Sequence, residues 1–331
     1  MLKQRITEAV KSILNSDFGF DIYIVMKSGD SLLKRFILEE GNPNEQGGFK
    51  SRICESIKDT IQNKFLSEES LYAGEDDLAN EQNRFYVIRQ NEQYRPFEFL
   101  DIPENQLQNF RFTDKDNADA ILFKFTFQRN GEIKQLWAYQ KIQPSSIPNK
   151  QKKHFQFIIK SQDRPDIFME MKDQMFMITK SVDLLVVGDE IITDQISFME
   201  RHFGLETFVR TSAERAVSEI TTVQLVENES KLLEYVQRRN KKYAKKMMQI
   251  HKFPVAGMNK TSLMAKLNSV DRWRDVFEIR EDQIHLRTFK DVENLIDLFV
   301  ERYTRSDVTG QEYDTSVKDK AEPVSNDRQQ Q

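Results

Sequence analysis

The chain has 331 residues, with 49 Lys and Arg against 53 Asp and Glu, a formal net charge of −4 and 38 % apolar residues. That length exceeds a typical single domain, and the apolar content supplies a sizeable core, which excludes a wholly disordered chain. A single cysteine, Cys54, excludes an intrachain disulfide framework and most cysteine-based metal sites, and apolar runs of a few residues, as at 184–187, fall far short of the roughly 20 needed to span a membrane.

Residues 1–15 have Ile6, Val10 and Ile13 at helical spacing. Their basic residues are not followed by an uninterrupted apolar stretch, so no signal peptide is expected and the expected location is cytoplasmic. Residues 20–26 (FDIYIVM) and 32–38 (LLKRFIL) read as a hairpin closed by Lys27-Ser28-Gly29-Asp30. A loop at 41–48 leads into an amphipathic helix at 50–66, where Ile53, Ile57, Ile61 and Phe65 recur every four residues. Residues 85–89 form another strand, and the acidic stretch 101–118, without a clear period, marks the expected domain boundary.

From Ile121 the pattern turns to strands. Residues 121–128 and 133–142 flank Arg129-Asn130-Gly131-Glu132, and Asn-Gly is a strong hairpin signal. Further strands are expected at 155–160, 175–179, 183–187 and 190–193. Helices follow at 196–203, 212–220, as one long element near 230–251 ended by Pro254, and at 262–268. A late strand pair, 277–279 with 284–286, precedes an amphipathic helix at 292–303 and a polar tail at 318–331. Strands followed by helices predict an α+β fold: an N-terminal α+β domain over 1–117, then a mainly antiparallel sheet packed with C-terminal helices over 118–317, and a polar tail.

Charge is sorted along the chain. Residues 51–120 carry 15 acidic against 8 basic side chains, whereas 228–252 carry 2 against 8. On one continuous helix, Arg238, Lys241, Lys242 and Lys245 fall at i, i+3, i+4 and i+7 and share a face, with Arg239 and Lys246 flanking them. Leu232, Val236, Tyr243, Met247 and Ile250 would line the opposite side. Such a row can follow phosphates and gain affinity by releasing counterions, without reading base sequence. A solvated face, or one docked on acidic residues of the same or another subunit, fits the same pattern. A second basic segment holds Lys141, Lys150, Lys152, Lys153 and His154 in a Pro-containing loop, a place where binding residues often sit. Trp137 and Tyr139 suit a base-stacking platform or, as alternating strand residues, one packed sheet face.

Catalytic signals are weak. Pro165-Asp166 and Glu170-Met171-Lys172 superficially spell a metal-dependent nuclease motif, but three intervening residues are too few to turn and begin a paired strand. Asp183, Asp189 and Glu190 could supply carboxylates, though turn acids are common without metal. Gly47-Gly48-Phe49-Lys50-Ser51 lacks the spacing of a phosphate loop. The four histidines, 154, 202, 251 and 285, show no ligand spacing. Cys54 sits on the apolar helix and suits its core. Neither a cofactor nor a catalytic residue is expected.

Residues 182–203 read VDLLVVGDEIITDQISFMERHF: Asp183 opens an apolar strand, a tight turn follows, then a second strand and the helix start Met199-Glu200-Arg201-His202-Phe203. Residues 136–142 (LWAYQKI) form an aromatic strand ending in a base. The region 299–318 sets Tyr303, Ser306, Thr309, Tyr313, Ser316 and Lys318 in order. Together these motifs, over about 121–320, resemble the KwaB-like family of the bacterial Kiwa anti-phage system, with Met199 where the family has Phe and Val317 interrupting Ser-Lys. The resemblance implies a defence protein that recognises invading phage DNA, obstructs its replication or transcription, and works with a membrane-embedded partner, KwaA, that would recruit it to the inner membrane. A homo-oligomer is also expected.

Overall fold

The computed structural model describes residues 2–29, 32–38, 48–74, 84–129, 132–142, 158–160, 168–170, 177–252, 259–269, 273, 276–300, 303–305 and 312–314. The chain divides into two compact units, the first formed by Met1–Glu75 and Asn80–Phe198, the second principally by Met199–Gln331. The fold is α+β, as expected.

The first unit runs α1 (Leu2–Leu14), β1 (Gly19–Met26), β2 (Leu33–Arg35), α2 (Phe49–Phe65), β3 (Leu71–Ala73), β4 (Arg84–Arg89), β5 (Gln108–Asn109), β6 (Ala118–Arg129), β7 (Glu132–Lys141), the small pair β8 (Ile158–Lys160) and β9 (Phe168–Glu170), then β10 (Leu184–Val187) and β11 (Glu190–Thr193). Nine strands form one sheet in the order β3-β4-β11-β10-β7-β6-β1-β2-β5. Its pairings are antiparallel except β3 with β4 and β2 with β5. The domain boundary expected between 117 and 118 therefore falls inside this sheet, where β6 pairs along the whole of β1. The separation between compact units comes instead after Phe198.

Period-two alternation sorts the strand residues onto two faces. Ile22, Ile24 and Met26 of β1 join Ile121, Phe123 and Phe125 of β6, Leu136 and Ala138 of β7, Leu185 and Ile192 in one apolar layer. Against them pack Ile6, Val10, Ile13 and Leu14 of α1 and Ile53, Ile57, Ile61 and Phe65 of α2. These are the helical repeats visible in the sequence, and the helices that cover this face come from the N-terminal part of the chain. The opposite face carries Tyr23, Lys124, Trp137 and Tyr139. Trp137 lies 5.4 Å from the Tyr23 ring, and Tyr139 lies 6.0 Å from both Phe97 and Phe198. Both rings are buried, so neither is a stacking platform for bases.

Asp183 joins three strands. Its amide donates to the Tyr139 carbonyl at 2.9 Å, its Oδ2 accepts the Lys141 amide at 2.7 Å, and its carbonyl accepts the Thr193 hydroxyl at 3.2 Å. Burial raises the Asp183 carboxyl above the ordinary range, opposed by the bond from the Lys141 amide. An amide oxygen can accept that bond without a buried charge. Asp183→Asn is therefore expected to keep wild-type stability, while Asp183→Ala, which orphans the Lys141 amide, loses about 1–2 kcal/mol in urea melts. The hairpin after it turns at Gly188, whose φ of +56° favours glycine.

Some expected elements differ. Residues 177–179 form no strand; Thr179 and Ser181 instead offer their carbonyls to the buried Gln140 side chain at 2.8 and 2.5 Å. In place of the expected structureless boundary near 101–118, short 3-10 turns carry β5 back to the sheet edge.

Helix α3 (Ile196–His202) leads to Gly204, whose φ of +67° lets the chain turn into α4 (Leu205–Thr222). The second unit continues with α5 (Ser230–Val236), α6 (Lys242–Met248), α7 (Lys260–Ser269), the hairpin β12 (Glu278–Arg280) and β13 (Gln283–His285), α8 (Phe289–Phe299) and the hairpin β14 (Tyr303–Arg305) and β15 (Glu312–Asp314). Thr288 and Asp291 cap α8 reciprocally, which starts it three residues before the expected 292. No helix among the described residues is long and apolar enough to cross a membrane.

Candidate nucleic-acid interface

The segment expected as one long helix is two helices joined by a turn. Helix α5 ends at Val236, residues 237–241 turn, and α6 begins at Lys242. The cause is local. Asn240 Oδ1 accepts the Lys242 amide at 3.1 Å and the Asn240 carbonyl accepts the Tyr243 amide at 3.3 Å, so the side chain supplies a partner that a continuous helix would not need. Leu232, Tyr235 and Val236 before the turn, and Ala244, Met247 and Met248 after it, are buried.

The break divides the expected row of cations. Lys241 Nζ lies 3.1 Å from Glu200 and 2.6 Å from Glu206, and Lys245 Nζ lies 2.9 Å from Glu200. The Glu200 side chain is only 9 % exposed, so it holds both ammonium groups at the edge of the packed interior. Hydrogen bonding from Lys241 pulls the Glu206 carboxyl below its ordinary value, and the same bond raises the Lys241 ammonium. Two of the four cations first assigned to phosphate contact are thus neutralised by the chain's own carboxylates. Glu200 is the acid of the Met199–Phe203 motif, which gives that position a structural task.

The remaining cations sit differently. Arg238, Arg239 and Lys242 are exposed. The Arg238 guanidinium lies over the rings of Tyr243 at 4.2 Å and Phe289 at 4.6 Å, and Lys242 Nζ over Tyr243 at 4.9 Å. Arg239 has no ion-pair partner among the described residues. Lys246 is 3.8 Å from Glu293, which Lys290 also approaches at 3.9 Å. Lys231 covers Phe289 at 5.2 Å and pairs with Glu234. Sequence reading missed Lys290 and the Tyr243–Phe289 support, because α8 lies some 50 residues beyond the basic segment and only the fold brings it there.

Lys150, Lys152, Lys153 and His154, the second basic segment, lie outside the described residues. Lys141 is engaged by Asp119 at 2.5 Å.

Two of the carboxylates considered for metal chemistry, Asp183 and Glu190, have other partners. Asp183 holds the Lys141 amide, and Glu190 receives a bidentate bond from Arg5 at 2.5 and 2.8 Å. Glu170 lies on β9, whereas Asp166 and Lys172 lie outside the described residues. Among the described residues no group of three or more His, Cys, Asp or Glu side chains could hold a metal ion. Burial raises the Cys54 thiol to about 11, which keeps it protonated and unreactive at neutral pH.

Fold and surface together define an α+β protein that presents arginine and lysine on an aromatic-backed turn. Residues 115–309, more than half of the chain, match the family model described as Kiwa protein KwaB-like. The protein belongs to the KwaB-like family, and that membership points to a role in Kiwa anti-phage defence. No curated protein and no solved structure matches the chain.

Proposed function

We propose that this protein acts in anti-phage defence by binding invading DNA through phosphate contacts, without cleaving it, and so obstructs replication or transcription. The observation that carries the reading is the exposed trio Arg238, Arg239 and Lys242 on one short turn, with Arg238 stacked on two rings. Stacking holds the guanidinium in place while leaving its outward N–H groups free to fork onto a phosphate, so less side-chain entropy is lost on contact. Lys246 and Lys290 extend the same positive field, although they share Glu293. Lys241 and Lys245 leave the proposed contact set, since the phosphate would have to compete with Glu200 and Glu206.

Three phosphate contacts are modest. They predict a salt slope near −2.7, or about a 40-fold loss of affinity between 50 and 200 mM salt. Self-association would raise the grip by presenting several such turns to one duplex. In this reading the membrane-embedded partner KwaA recruits the protein to the inner membrane, a role supported by family resemblance alone.

The test is a mobility-shift titration of purified protein with linear duplex at several salt concentrations, with magnesium and with chelator. A log–log slope near −3 with intact DNA throughout is the expected result. Binding insensitive to salt would remove the phosphate contacts. Magnesium-dependent breakage would replace the reading with that of a nuclease. Absence of any shift, with capture by an acidic protein surface, would make the cations a protein-docking face.

A further inference from the structure

The first unit holds a cavity of about 320 Å³ lined by Asp21, Ile22, Tyr23, Arg35, Phe36, Ile37, Leu38, Lys50 and Glu104. All of these residues precede 115, where the family match begins. The cavity lies against β1 and β2, with Lys50 supplied by the first turn of α2 and Glu104 by a 3-10 turn.

Its chemistry is divided between an apolar wall and convergent polar groups. Phe36, Ile37 and Leu38 contribute the apolar lining; Phe36 and Leu38 also pack against the apolar layer of the sheet, whereas Ile37 is 68 % exposed. Arg35 donates to the Glu104 carbonyl, which pins the guanidinium and leaves most of its five N–H donors without a partner among the described residues. Beneath the mouth, the buried Lys124 donates to Glu104 Oε1 at 2.7 Å while resting over the Trp137 ring at 5.0 Å, and the Tyr23 hydroxyl donates to the same oxygen at 3.3 Å. Glu104 is thus held in place as an acceptor. Lys50 and Asp21 pair at 3.1 Å, but both are about half exposed, so the pair contributes less than about 1 kcal/mol and an anion can displace it.

We infer that this cavity binds a nucleoside monophosphate, with the phosphate on Arg35 and Lys50, the base against Phe36, Ile37 and Leu38, and amine or hydroxyl donors on Asp21 and Glu104. Size and charge select this class. Small-ligand pockets begin at about 300 Å³, so a cavity of about 320 Å³ lies at the small end of that range and suits a ligand of mononucleotide size. Two cations and two carboxylates in one lining suit a ligand that has both an anionic group and hydrogen-bond donors, while the apolar lining suits a flat, weakly hydrated body. A free phosphate satisfies only the cations, and a nucleoside satisfies only the wall and the acids. The inference is independent of DNA binding, which rests on residues of the second unit.

The experiment is calorimetric titration of the full-length protein with AMP, GMP, CMP and UMP, and with adenosine and inorganic phosphate as controls. At least one monophosphate is expected to bind saturably with Kd below about 1 mM, with adenosine and phosphate each weaker by about tenfold or more. Lys50→Glu and Ile37→Asp change exposed side chains and should leave the circular dichroism spectrum intact while weakening that nucleotide about fivefold or more. No saturable binding by any of the four, equal affinity in both cavity variants, or phosphate alone binding as tightly as the nucleotide would each overturn the assignment.

Discussion

Replacing Arg238, Arg239 and Lys242 together by glutamate is expected to lower affinity for duplex DNA by about 500-fold or more at 0.1 M salt. Each phosphate contact releases about 0.9 of a counterion, which at that ionic strength is worth roughly eightfold, and three contacts multiply. The reversed charges add repulsion to that loss. The three side chains are exposed, so the variant should fold; Arg238 gives up its stacking on Tyr243 and Phe289, worth about 0.5–1 kcal/mol each at an exposed site. Filter binding across a salt series reads the effect, with the residual slope as the informative number. A slope reduced by about three, alongside an unchanged thermal midpoint to within a few degrees, assigns the contacts to this turn. A triple variant that binds as well as wild type would move DNA recognition elsewhere on the molecule. Arg239→Ala alone should reduce the slope by about one, because that side chain is exposed and has no ion-pair partner among the described residues.

The difference between this trio and the row of four first read from the sequence shows which kind of information a sequence carries. Helices α1 and α2 were legible because their apolar residues recur at three- and four-residue spacing, and each repeat is buried on a single face. The β6–β7 hairpin was legible because Asn130-Gly131 announces its turn, and the strand pair around Gly188 for a similar reason. Strands β3 and β5 were not, since each has three residues or fewer and is defined by a parallel partner, β4 or β2, rather than by its own pattern. The break at 237–241 escaped because a turn of five residues returns the chain to nearly the same apolar phase, and Asn240 is unremarkable in a polar stretch. The capture of Lys241 and Lys245 was invisible for a stronger reason: Glu200 lies some 40 residues away. A helical wheel reports which side chains share a face, and it says nothing about what that face meets.

Glu200→Ala is expected to destabilise the second unit by about 2–3 kcal/mol at pH 7. Removing one partner from a buried ion pair ordinarily costs about 3–5 kcal/mol, because the remaining charge is left without compensation. Here the cost is reduced by access to water: the Lys245 side chain is 17 % exposed and Lys241, 40 % exposed, keeps Glu206. The thermal midpoint should fall by about 6–10 °C for a unit of this size. Glu200→Gln should lose less, since an amide oxygen can still accept one lysine bond. Acid should act on the neighbouring carboxylate. Hydrogen bonding from Lys241 depresses the folded-state value of Glu206, so its contribution is present above the unfolded value near pH 4.3 and is lost as pH falls through the lower folded one. Wild-type unfolding in urea should therefore soften below about pH 4, and Glu206→Gln should flatten that part of the profile. DNA affinity measured below the melting transition should stay within about threefold of wild type in Glu200→Gln, because the pair anchors α6 and makes no phosphate contact. A large loss of binding in a folded Glu200→Gln protein would mean that the geometry of the α5–α6 turn depends on this anchor, and that recognition requires the Arg238–Lys242 spacing it sets.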